Sequence, residues 1–495
     1  MPPALSPLNR TLLALVALGA TTPAVAGPIT SFTAGDLVID TVTGSALDAA
    51  SPMTLQEFSL GAGGTSAMPV GTFTLPQTAS GANSAISGEY GSASEGFLQL
   101  SGNGHLLTIM GYGVNAATFN SAPLSTYGTT ALGQTTSVPG GSYTVVPRVA
   151  AAIGANGSVD TSTAVLNFAD QNNPRSAYTV DGSSFYVSGQ ASSKTDPTQG
   201  VQLVRDGSSN GAVIDNSTDT RFVTVSNALN NNKNTLYVSR DYNPKGGSNN
   251  FTNVSSLTNS TGDLPTSAAG LTTTHIVPPA SPLSSGGNNG SIDLPKPPAP
   301  SLANGINNSR IGSFVYLSPE QFFFANATTL YVADSGQPKN GQANKAALGE
   351  GGLQKWALVG GVWTLQYDLV AGLNLVNNAN ANPNTPTAPG VTGLFGLTGK
   401  IVGNQVELFA TSYGLNELSP SFLYEITDNL SFTTIGQANA AGEAFTTLFA
   451  APEGESIRGV SFAPTPAPLL GQGLVGLGGL IGAGARAMAA RRRRS

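Results

Sequence analysis

The stretch that decides the fold is Thr328–Val370: TTLYVADSG (328–336), a spacer, then GGLQKWALVGGVWTLQYDLV (351–370). It holds both tryptophans of the chain, Trp356 and Trp363. Leu330–Ala333, Leu353–Leu358 and Trp363–Leu369 read as successive strands, and Val359-Gly360-Gly361 between the last two is a tight-hairpin signal. QFFFA (Gln321–Ala325) just upstream completes a four-stranded antiparallel unit.

The same plan recurs along the chain. Strand–turn–strand phrases start at Ser94 (SEGFLQLSGNGHLLTIMGYG), Pro174 (PRSAYTVDGSSFYVSG), Thr220 (TRFVTVSNALNNNKNTLYVSRD), Pro319 (PEQFFFANATTLYVADSG) and Val391 (VTGLFGLTGKIVGNQVELFATSYG). Weaker strands follow most of them, such as Val201–Asp206 and Phe422–Asp428. Repetition of a unit that cannot bury both faces alone implies stacking around an axis. Four strands per unit with alternating apolar and polar residues point to a β-propeller; a two-sheet sandwich is the weaker alternative. SIRGVSFAP (Ser456–Pro464) looks like the first strand of a further unit. Strands near Gly35, Met53 and Gly71 look like a unit lacking its first. Joined, they form one blade from both ends of the body, which removes two open sheet edges. The count is six blades, with seven as the alternative.

Composition agrees with an all-β reading. Of 495 residues, 61 are Gly and 32 Pro, and only 10% are charged, against roughly 25% in an ordinary domain. The net charge of −6 gives no basic face for nucleic acid. The absence of cysteine excludes disulfides and thiolate metal sites.

Three regions lie outside the repeat, whose body spans 27–463. Residues 1–26 read as a secretory signal helix: Arg10, an apolar run from Thr11 to Ala20, and the small-residue cleavage site Ala24-Val25-Ala26. Residues 267–308, rich in Pro, Gly, Ser and Asn, read as a disordered insertion. At the far end, 464–495 holds Pro466-Ala467-Pro468, an apolar glycine-rich run (Leu469–Ala485) and the cluster Arg491, Arg492, Arg493 and Arg494. This predicts a hydrophobic helix entering the membrane, with its positive end cytoplasmic.

That tail resembles the PEP-CTERM type of bacterial sorting signal. The resemblance implies recognition and removal by an exosortase-like membrane protease. Pro466-Ala467-Pro468 replaces the family's Pro-Glu-Pro, and a simple anchor that stays is the alternative. The body segments GDLVIDTV, NNPRSAYTVDGSSFYVSG, TTLYVADSG, GGLQKWALVGGVWTLQYDL and IRGVSFAP resemble a family of exported bacterial proteins with a propeller-like body. This resemblance implies the fold and location in the envelope, at the surface or outside the cell. It brings no activity and no catalytic residues.

Chemistry is sparse. His105 and His275 stand in unrelated contexts, and neither HExxH nor GxxxxGK[ST] occurs. Asp181-Gly182 and Asp334-Ser335-Gly336 read as turns rather than calcium ligands. No cofactor is indicated. One constellation stands out. The first strand of a propeller blade lines the axis, and near the starts of those strands sit Glu95, Arg175, Arg221, Gln321 and Arg458. Converging arginines suit an acidic saccharide or carboxylate; alternatively each ties neighbouring blades by bonding loop carbonyls. The expectation is therefore a binding or structural module, with extracellular polysaccharide or another envelope protein as partner. The alternative is a polysaccharide lyase or hydrolase, which would need paired carboxylates, and only Glu95 is evident in an inner-strand phrase.

Overall fold

A computed structural model describes residues 27–468, apart from 93, 194, 218, 230–232, 242–251, 278–290, 294–313, 317, 337–350, 374, 376–389 and 415–419. The signal segment with Ala24 and Ala26, and the apolar run with its arginine cluster, lie outside the described residues. Among the described residues no helix is long and apolar enough to cross a membrane.

The chain is all-β, with four separate four-stranded antiparallel sheets, each an up-and-down meander. Blade A is Pro174–Thr179, Ser184–Gly189, Gly200–Arg205 and Gly211–Asp215; blade B is Thr220–Ser226, Thr235–Arg240, Asn253–Thr258 and Thr272–Val277. Blade C is Pro319–Asn326, Thr329–Asp334, Gly352–Val359 and Val362–Leu369; blade D is Val391–Val402, Gln405–Gly414, Phe422–Asn429 and Thr446–Ala450. First strands of consecutive blades adjoin one another, the arrangement of a β-propeller.

Blade C shows how residue choice builds a unit. Gly360 and Gly361 have φ of +59° and +84°, as a two-residue turn with both central residues left-handed requires. That turn sets Leu358 opposite Trp363 and Val359 opposite Val362. Both tryptophans are buried in a cluster with Tyr237 and Val254 of blade B. They join neighbouring blades rather than forming an open stacking platform.

The expected closure by both ends of the body is present as strand pairing. Glu455–Phe462 pairs antiparallel with Leu37–Thr43, which pairs with Ala50–Leu60, which pairs with Ala67–Thr74. The expectation of six or seven separate blades needs correction. Among the described residues four are separate; the other strands form one nine-stranded sheet and one two-stranded pair. In the nine-stranded sheet Ser87–Glu89 pairs with Ala50–Pro52 and, at Ser87, with Tyr112. That links the terminal strands to Gln99–Leu100, Leu106–Tyr112, Arg148–Gly154 and Val159–Val165. Gly111 permits the join, because a Cβ there would lie 2.8 Å from the Ser87 carbonyl oxygen.

The stretch 267–308 is also corrected in part. Thr272–Val277 is the outer strand of blade B, and His275 on it lies 2.9 Å from Ser255 Oγ. Ser291–Asp293 pairs with Phe314–Tyr316; 278–290 and 294–308 lie outside the described residues.

The axis is filled by side chains. Phe97 stacks on Phe395 at 4.2 Å and meets Phe222 at 5.7 Å, and Phe222 meets Phe322 edge-on at 5.3 Å. These rings close the centre, so any axial site is a pocket at one end and not a through-channel.

Candidate functional site

Strand direction sorts the ring into two ends. First strands begin, and second strands finish, at one end; the tight hairpin turns stand at the other. At the first end lies a cavity of about 410 Å³ whose lining includes Glu89, Gln171, Asn173, Arg175, Gln190 and Arg221. The rest of its wall is Asp48, Ser92, Ser94, Gly133, Gln134 and Asn172, so among the described residues no aromatic or aliphatic side chain contributes.

All five residues singled out in the sequence are buried near this end, and the structure sorts them into separate groups. Arg175 and Arg221 meet across Asp219, which forms ion pairs with both. Arg221 also pairs with Asp241 at 2.8 Å and with Glu320 at 3.1 Å. Burial alone would lower the Arg221 pKa, but the three carboxylates hold it well above its ordinary value. Asp241 is pushed up to about 8 by burial, against the pull of Arg221. Arg458 pairs with Glu95 at 3.3 Å and donates to the Glu89 carbonyl at 2.5 Å. Gln321 stands apart from both: its carbonyl oxygen accepts from Leu397 N at 3.0 Å, and its amide reaches the Leu98 carbonyl at 3.5 Å. It ties blade D to the long sheet and does not line the cavity.

The arginines are therefore engaged by the protein's own carboxylates. An incoming anion would have to displace them, which removes the ground for an anionic ligand. Loop-carbonyl tying also occurs, with Arg175 donating to the Thr220 carbonyl at 3.0 Å and Arg458 to that of Glu89, and it is most extensive at Arg148, which the sequence reading passed over. Wholly buried, its guanidinium donates to Ala169, Val146, Thr135, Gly133 and Asn172 carbonyls over 2.8–3.4 Å. It also lies 4.7 Å over the Tyr112 ring. Burial lowers its pKa. Arg148 thus fixes the two loops that supply Gly133, Gln134, Gln171 and Asn172 to the cavity wall.

Glu89 and Glu95 form a carboxyl pair that sequence spacing did not reveal. Asn173 Nδ2 lies 3.4 Å from Glu89 Oε2 and 3.3 Å from Glu95 Oε2, so these oxygens are no farther apart than the sum of the two distances. The two side chains differ in surroundings. Glu95 accepts from Tyr112 OH at 2.9 Å and Glu89 N at 2.5 Å beside Arg458. Glu89 faces the cavity, accepts from Gly133 N at 2.9 Å, and is pushed up to about 8 by burial and then by the Glu95 charge. Burial and the Glu95 charge both favour the protonated form of Glu89. Behind them Asp40 is wholly buried with neither carboxylate oxygen hydrogen-bonded; burial pushes its pKa well up, and Arg458 opposes this.

Backbone geometry points to the same wall. Asp48 and Gln171 line the cavity with φ of +65° and +52°. Asp219, between the arginines, has +56°, and Ala169, an acceptor for Arg148, has +47°. Left-handed conformations of non-glycine residues cost energy and tend to collect at functional sites.

His105 lies at the opposite end of the ring, its Nδ1 3.0 Å from the Thr465 carbonyl oxygen, which excludes it from chemistry in this cavity. Asp181 and Asp334 close turns onto Ser183 N and Gly336 N.

No family model matches the chain, and no curated protein matches it. Among solved structures, it is similar to an oligogalacturonate lyase in complex with manganese (8% identity, TM-score 0.31, covering 78% of this chain and 94% of that one). A second oligogalacturonate lyase, from Vibrio parahaemolyticus, has 9% identity and a TM-score of 0.34, covering 82% and 98%. A xyloglucanase from Xanthomonas campestris has 14% identity and a TM-score of 0.28, covering 89% and 55%. Likenesses this distant carry no argument about the chemistry of this chain.

Proposed function

We propose that the protein is an exported propeller of the cell envelope that binds a neutral, polyhydroxylated ligand, such as a stretch of polysaccharide, at the axial cavity. The observation that carries this reading is the cavity wall. It offers amides, hydroxyls and the carboxyl groups of Asp48 and Glu89, while its guanidinium groups are already paired with the protein's own carboxylates. Amide and hydroxyl groups can match sugar hydroxyls donor to acceptor. Counting the nine-stranded sheet as two units gives a ring of six, supported by the pairing of Leu37–Thr43 with Glu455–Phe462 and by the adjacency of the latter strand to Gln99–Leu100. Titration of the mature chain against neutral and uronate-containing oligosaccharides tests the binding reading. Gln134→Ala, at an exposed position of the wall, should weaken binding of the neutral ligand at least about tenfold, the loss of roughly one well-made hydrogen-bond set, with little change in melting temperature. Preference for uronates, or no binding at all, would sink it.

A second reading is favoured by the carboxyl pair alone. Glu89 as proton donor and Glu95 as charged partner are no farther apart than glycosidase carboxyl pairs, about 5–9.5 Å. In the same titration, cleavage of the bound saccharide that Glu89→Gln abolishes while binding persists would favour hydrolysis.

Export through the inner membrane and attachment or sorting through 464–495 rest on the sequence of the two ends. The exosortase-like protease is the proposed processing partner. Mass spectrometry of the mature carboxyl terminus should find loss of residues beyond about Pro466; an intact Arg491–Arg494 tail in the inner-membrane fraction would instead support a lasting anchor.

A further inference from the structure

The end of the ring opposite the cavity carries the tight turns, and the described chain leaves the ring there. Thr465 N donates to the Gly104 carbonyl at 2.9 Å, and Thr465 Oγ1 donates to the same oxygen at 3.1 Å. His105 Nδ1 lies 3.0 Å from Thr465 O and 3.1 Å from its Oγ1. The turn that holds Thr465 is itself tied to blade A: Gly102 N and Asn103 N donate to the Thr179 and Val180 carbonyls, both at 2.9 Å. Thr465 is therefore fixed at the hairpin end of the ring.

From there to the apolar run at Leu469 the chain has four residues, which reach at most about 14 Å. If that run enters a bilayer, the hairpin end must lie against the membrane surface. The turns at this end expose apolar side chains. Val359 and Val362 flank the Gly360-Gly361 turn at 58% and 52% exposure; Ile401 and Val402 precede the Gly403-Asn404 turn at 44% and 47%. Exposed charge nearby is partly self-neutralised, as in Lys233–Asp263 at 2.8 Å and Lys400–Glu407 at 2.8 Å. Small apolar tips suit the interfacial layer of a bilayer.

We propose that, while the tail is in the membrane, the hairpin end of the propeller docks on the lipid surface through Val359, Val362, Ile401 and Val402, and the cavity opens away from it. This rests on the reading of 469–485 as a membrane-entering segment. The chain has no cysteine, so single-site labelling is direct. Full-length Val359→Cys and Val402→Cys chains, and a chain with Cys at the exposed Tyr143, in the cavity-end connection between Leu106–Tyr112 and Arg148–Gly154 (Tyr143→Cys), each carry an environment-sensitive nitrobenzoxadiazole probe. They are reconstituted with phosphatidylcholine–phosphatidylglycerol vesicles containing a spin-labelled lipid. The full chain should float with the vesicles. Probes at 359 and 402 should shift to the blue and lose most of their emission to the spin label, while the probe at 143 keeps its own. Flotation with equal quenching at 143 and 359, or with none at either, overturns the docking proposal and leaves the membrane-entry reading intact. Failure of the full chain to float overturns both.

Discussion

An Arg221→Met chain is expected to lose about 3–5 kcal/mol of stability at pH 8, the usual cost of removing one partner from a buried ion pair. Arg221 is 1% exposed and sits among Asp219, Asp241 and Glu320. It stands in blade B, while Glu320 belongs to blade C, and Asp219 ties both to Arg175 of blade A. Methionine fills much of the volume, so the loss reports charge rather than a cavity. Three carboxylates would then share Arg175 alone, and the cheapest response is to take up protons. The loss should shrink between pH 8 and pH 5, because protonation removes the charge that methionine leaves unpaired. Arg221→Lys should fall between, since one ammonium cannot face three carboxylates in the fork geometry that a guanidinium provides. Urea unfolding of the three chains at both pH values checks this. A loss independent of pH would mean that Arg221 matters through packing and not through its charge.

How far such a site can be read from sequence depends on which contacts are local. Inner strands were legible from alternation, and the Gly360-Gly361 turn from glycine's tolerance of positive φ. The pairing of Glu455–Phe462 with Leu37–Thr43 could be argued because two incomplete units at opposite ends complement each other. Ser87–Glu89 could not, since Ser-Gly-Glu has no strand preference of its own and is held by Ser51 and Tyr112 from distant positions. The arginines could be placed at one end of the axis because strand starts share an end. Their partners could not be named, as Asp219 and Asp241 lie in connections between strands, where period-two logic lapses. Glu320 is different: it adjoins Gln321 on an inner strand and was passed over, although alternation offers one of the two positions to a neighbouring blade. Arg148, a lone charge opening the apolar strand Arg148–Gly154, was likewise a visible signal. A charge entering a buried strand must find acceptors, and here it finds loop carbonyls of the cavity wall.

The same excess of buried carboxyl groups should give the protein an inverted pH profile. Burial pushes Glu89 and Asp241 up to about 8. Glu443 rises to about 8 as well, through burial and its contact with Asp428. Asp40, Asp334 and Asp368 are raised well above their ordinary values, in each case first by burial. In the unfolded chain all of these titrate near pH 4. Between that value and about 8 the folded state therefore binds more protons than the unfolded one, so stability must fall as pH rises. The stabilising protons are fully in place below the unfolded pKa and are lost as pH passes through the folded values. Melting temperature should be highest in mildly acidic solution and decline steadily from about pH 5 to pH 9, opposite to the acid sensitivity of a protein held by ionised, paired carboxylates. Glu89→Gln should flatten the part of the decline near pH 8, since a neutral amide accepts from Gly133 N as the carboxyl does and has no proton to lose. Thermal melts of the wild-type and Glu89→Gln chains at closely spaced pH values test the linkage. A wild-type melting temperature that climbs from pH 5 to pH 9 would show that these carboxyl groups are ionised in the fold, and Glu89 could then not serve as the proton donor of the cavity.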